Sequence, residues 1–124
     1  MKQPYSEAQR SKIEKVRAAF QDYIQNSGYI DLLWSDKAGY VLLPLNPENE
    51  DGFRVESEPE LIENAEMLCE RLFTEIFYDV INFSGKKHDT DQVDSEERAE
   101  VERRLRPYIE KFPEYKSLAE PFYE

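Results

Sequence analysis

Cysteine, histidine and tryptophan each occur once in these 124 residues, glycine occurs four times, and cations are scarce, with 16 Lys and Arg against 27 Asp and Glu. One cysteine allows no internal disulfide, and Cys69 falls in the apolar stripe of a predicted helix, the setting of a buried, inert thiol. One histidine leaves a single candidate base for a Ser–His or Cys–His pair, and His88 sits between Lys87 and Asp89 in a polar stretch with no motif to position it. The four glycines are isolated, so no glycine-rich loop is available to cradle a phosphate. No apolar run approaches the roughly 18 residues that span a bilayer, and the opening MKQPYSEAQRSK carries no apolar stretch after its charges. A cytoplasmic protein with no membrane segment is expected.

What the chain does have is negative charge, and it is concentrated. Residues 46–70 hold nine carboxylates against Arg54 alone, and residues 89–102 hold seven against Arg98 alone, within a formal net charge of −11. Such a field repels nucleic acid and anionic lipid, and neither Lys86-Lys87 nor Arg103, Arg104 and Arg106 is long enough to reverse it. Direct nucleic-acid binding is therefore not expected. With 40% hydrophobic and 13% aromatic residues the chain can still bury a core, which separates it from disordered acidic segments. At this length one domain over residues 1–124 is the natural reading.

Ser6 to Gln9 has the spacing of a capping box, and Ile13, Val16, Phe20, Tyr23 and Ile24 recur on one helical face, which predicts a first helix over about 6–27 ended by Gly28. Tyr29–Ser35 and Tyr40–Leu45 flank the turn signal Asp36 to Gly39 and read as an antiparallel hairpin. Pairing Ser35 with Tyr40 gives an apolar face of Ile30, Leu32, Trp34, Val41, Leu43 and Leu45. The outer face then carries Tyr29, Asp31, Leu33, Ser35, Tyr40, Leu42 and Pro44, a mixed set in which Leu33 and Leu42 need at least partial cover. Pro44, without an amide hydrogen, belongs at an edge or a bulge. Phe53 to Glu56 alternates and is a candidate third strand. Ser57 to Glu60 resembles another capping box, opening a long central helix that runs to Phe83, about 26 residues and about 39 Å. A linker over about 86–94 leads to a helix capped by Asp94 with Glu97 in the box position, which Pro107 must end, kink or restart. Tyr115, Leu118, Phe122 and Tyr123 predict a docked tail. The fold class is α+β: helix, hairpin, long helix, shorter C-terminal helices, with the sheet's apolar face against the first two helices.

No cofactor or metal is expected. Asp89 and Glu100 have the spacing of the outer ligands of an EF-hand loop, but Val93 and Asp94 stand where that loop needs an oxygen ligand and a glycine. Asp31 and Asp79 are carboxylates among apolar neighbours, and among 27 acidic residues no pair stands out for acid–base work. The leading expectation is a non-enzymatic interaction or regulatory module whose partner is an unknown protein or a second copy of itself. Its candidate surface comprises Leu33, Tyr40 and Leu42 on the hairpin, with Glu58, Glu60, Glu63, Glu96, Glu97 and Glu100 at two helix starts, where carboxylates also complement the helix dipole. One alternative is an acidic mimic of nucleic acid that occupies a DNA- or RNA-binding protein. Another is a small enzyme or ligand-binding domain with a pocket near Trp34.

Overall fold

A computed structural model describes residues 5–27, 30–46, 54–55, 59–83 and 94–124. In chain order its elements are α1 (Glu7–Ala19), α2 (Gln21–Ser27), β1 (Ile30–Ser35), β2 (Gly39–Asn46), β3 (Arg54–Val55), β4 (Glu60–Leu61), α3 (Ala65–Phe83), α4 (Ser95–Lys111) and α5 (Lys116–Ala119), the last flanked by 3-10 turns at Pro113–Tyr115 and Glu120–Phe122. The class is α+β. Two compact units divide the chain, Met1–Leu68 and Cys69–Glu124, with the boundary inside α3.

In the first unit, Ser6 caps α1 by accepting from the Gln9 amide at 3.1 Å. The Gln9 side chain does not complete the box. It donates to the Glu63 carbonyl at 3.0 Å, tying the helix to the segment after β4. The predicted first helix is present as two, broken at Phe20, whose ψ of 8° leaves the helical well while Ile24 still donates to its carbonyl at 2.9 Å. Gly28 and Tyr29 lie outside the described residues.

The hairpin forms, but one residue out of the predicted register. Ser35 pairs with Gly39, Trp34 with Tyr40, Leu33 with Val41 and Leu32 with Leu42. The cause is the turn: Gly39, with φ of +88°, is taken into β2 as its first residue, so three residues and not four connect the strands. Because side chains alternate along a strand, that single step exchanges the β2 faces. Tyr40, Leu42 and Pro44 join Ile30, Leu32 and Trp34 on the inner face, and Val41, Leu43 and Leu45 turn outward.

β2 is the centre of the sheet. β1 lies along one side, while on the other Val41 and Leu42 pair with Leu61 and Glu60 of β4, and Leu45 and Asn46 pair with Val55 and Arg54 of β3. Pro44 falls between those two stretches of pairing, as its missing donor requires. The third strand is thus present at Arg54–Val55, between Phe53 and Glu56, which lie outside the described residues.

The long helix opens later than predicted. Ser57 and Glu58 lie outside the described residues, and Glu60 and Leu61 are a strand. Asn64 then caps α3, accepting from the Met67 amide at 2.7 Å. At 19 residues α3 spans about 28 Å, so the excess length inferred from the sequence is not there. Pairing with the open side of β2 outweighs the helical signal: Leu61 faces out, Ile62 is buried, and the Ile62 amide donates to the Tyr40 carbonyl at 2.9 Å.

In the second unit, Asp94 and Glu97 form the predicted capping box, with the Glu97 amide on Asp94 Oδ1 at 2.8 Å and the Asp94 amide on Glu97 Oε1 at 3.4 Å. α4 continues through Pro107 to Lys111. The tail docks as expected: Phe122 meets Phe77 of α3 at 5.2 Å between ring centroids, Tyr115 and Ala119 are buried, and Arg98 donates to the Glu124 carbonyl.

Candidate interaction surface

Strand pairing sets Leu33, Val41 and Leu61 side by side, one from each of three adjacent strands, and therefore on one face of the sheet. Leu33 is 45% exposed and Leu61 56%, and Val41 between them is half-buried. Leu43 and Leu45, two and four residues beyond Val41, extend the apolar surface along β2 and are also half-buried. Asp31 is exposed two residues from Leu33 on the same face, and its Oδ1 accepts from the Leu32 amide at 2.9 Å. Isolated exposed leucines are ordinary on a protein surface. Here the aliphatic side chains of three adjacent strands stand in one row.

Of the hairpin residues assigned to this surface from sequence, only Leu33 lies on it. Tyr40 and Leu42 are each 1% exposed on the opposite face, a direct result of the three-residue turn. The sequence carries no strand signal for Leu61: Glu60, Leu61, Ile62 and Glu63 read polar, apolar, apolar, polar, which fits a helical stripe and not a period-two alternation.

The inner face is held by a cluster built on Tyr5. Its hydroxyl donates to the Ile62 carbonyl and accepts from the Tyr40 amide at 3.0 Å, and its ring lies 5.6 Å from that of Tyr40 and 6.4 Å from that of Trp34. Trp34 and Tyr40 meet edge to face at 4.9 Å, and the Arg10 guanidinium covers the indole at 4.2 Å. The Tyr40 hydroxyl donates to Glu14, and burial together with that carboxylate holds its pKa above the ordinary value. Arg10, Tyr5 and Tyr40 therefore pack against Trp34.

The acidic candidates differ in their settings. Glu58 lies outside the described residues. Glu60 is half-buried in β4, opposite Leu42, and does not open a helix. Glu63 and Glu96 are exposed. Glu97 is 3% exposed and committed to the capping box, and Glu100 is clasped by Arg103, whose Nε donates to Oε2 at 2.8 Å. That clasp holds the Glu100 carboxyl below its ordinary range.

Elsewhere, Cys69 is fully buried, and burial, with Glu114 nearby, pushes its thiol up to about 12, the opposite of an activated nucleophile. Asp79 is half-buried in α3. His88 and Asp89 lie outside the described residues. Among the described residues no group of three or more His, Cys, Asp or Glu could hold a metal ion, and no helix is long and apolar enough to cross a membrane. Comparisons with protein-family models, with curated proteins and with solved structures give no match.

Proposed function

We propose that the protein is a non-enzymatic interaction module that docks a partner protein on the outer face of its sheet, through Leu33, Val41, Leu43 and Leu61. The observation that carries this reading is the pairing of Leu33, Val41 and Leu61 into one exposed aliphatic row. Fully burying a leucine contributes about 1.5–3 kcal/mol, so removing the exposed halves of Leu33 and Leu61 from water is worth about 1 kcal/mol each before Val41 and Leu43 contribute. A cytoplasmic setting belongs to the same proposal, supported by a composition with a single cysteine. The nucleic-acid mimic is the weaker reading, because Glu97 and Glu100 are engaged within α4 and Glu60 belongs to the sheet.

The test is affinity capture from lysate with the wild-type chain and with the double variant Leu33→Ser, Leu61→Ser, after circular dichroism has shown that the variant keeps its fold. Both positions are exposed, so the fold is expected to tolerate the change. Partners held by the wild type and lost from the variant support the proposal. Identical captured sets from both would sink it.

A further inference from the structure

If the outer face is a docking surface, the charge around it specifies the occupant. Among the outer-face positions described in β1, β2 and β4, which include Asp31, Leu33, Val41, Leu43 and Leu61, the single charged residue is the exposed carboxylate Asp31. Glu63, exposed, follows two residues after Leu61. In sequence, the chain that leaves β2 and returns through β3 and β4 to α3 is the more acidic of the two blocks, nine carboxylates with Arg54 alone over residues 46–70. An apolar surface set in a negative field discriminates among partners: the aliphatic row is non-directional, while the field attracts cations and repels anions. A second copy brings the same −11 and the same acidic block to the contact, and nucleic acid or an anionic membrane is repelled more strongly still.

We infer that the face binds a basic amphipathic segment of another protein, with aliphatic side chains on Leu33, Val41 and Leu61 and flanking Lys or Arg toward Asp31 and Glu63. This rests on the docking reading above and adds the partner's charge to it.

The experiment is selection of a random peptide display library on the full-length chain, with counter-selection on the Leu33→Ser, Leu61→Ser variant. The peptides that survive should combine aliphatic residues with flanking Lys or Arg. Replacing those cations by Gln should weaken binding about tenfold at roughly 50 mM salt, and by much less at about 0.5 M, where the Debye length is only a few ångströms. Survivors that are neutral or acidic overturn the basic partner and leave the docking surface standing. A library that yields no peptide sensitive to the double substitution overturns both. Light scattering that gives a dimer mass for the wild type and a monomer mass for the variant identifies a second copy as the occupant, and overturns the basic partner as well.

Discussion

Tyr5 ties β2 to the residue after β4 through one hydroxyl. Its oxygen serves the Tyr40 amide and the Ile62 carbonyl at once, and a Cβ at Gly39 would lie 2.5 Å from its ring, so the seat of Tyr5 needs a glycine at that position. Tyr5→Phe keeps the ring and removes the oxygen, leaving a buried donor and acceptor without it. The expected loss is about 1–3 kcal/mol, read as a lower urea midpoint with unchanged slope. Nothing in the sequence marks Tyr5 for this part, since its partners lie 35 and 57 residues away. Cys69 gives a second residue-level prediction. Its thiol ionises at about 12 when folded against an ordinary 9.0, so the folded state keeps a proton that the unfolded chain releases. That contribution is complete below pH 9 and is lost as pH rises toward 12, with Tyr40, also raised, adding to the loss above its ordinary 10.0. Stability measured by denaturant from pH 7 to 11 should therefore fall above 9, and Cys69→Ala should flatten the fall between 9 and 10. Parallel curves for the two proteins would refute this.

Elements were legible where a local rule decided them and illegible where a distant strand did. Ser6 and Asp94 cap their helices as their spacing predicts, because a cap is a contact over three residues. The hairpin register depends on whether Gly39 belongs to the turn or to the strand, a choice invisible in the pattern 30–45. It places two of the three hairpin residues assigned to the surface in the core, and Val41 and Leu43 stand on the outer face instead. β4 reads as the start of a helix because Leu61 and Ile62 stand side by side in a helical stripe, and only pairing with β2 makes the segment a strand. Pro107 is the remaining local conflict. It sits inside α4, removes the amide that would serve the Arg103 carbonyl, and is exposed. Pro107→Ala should stabilise the protein by about 1–3 kcal/mol, seen as a higher melting temperature and greater helical circular dichroism. A lower melting temperature would show that the proline shape is needed.

At the scale of the molecule, charge dominates. With 27 carboxylates against 16 cations, repulsions outnumber the attractions that pairs such as Glu100–Arg103 and Glu75–Arg71 provide. Salt screens both, so the balance decides the sign. Raising sodium chloride from about 10 mM to about 0.3 M should raise the melting temperature by a few degrees in calorimetry, and a fall would mean that the ion pairs outweigh the self-repulsion. The same long reach that makes Tyr5 hard to read also sets the order of assembly during synthesis. α1 leaves the ribosome early with Ile13, Val16 and Phe20 uncovered, but the carbonyls of Ile62 and Glu63 that fasten Tyr5 and Gln9 follow 57 and 54 residues later, several seconds at ordinary rates of translation. Ile62 and Glu63, the two residues after β4, are thus the latch of the first unit: a nascent chain in which they have not yet cleared the ribosome carries an unfastened helix, a ready target for chaperones, and one in which they have emerged has what it needs to close.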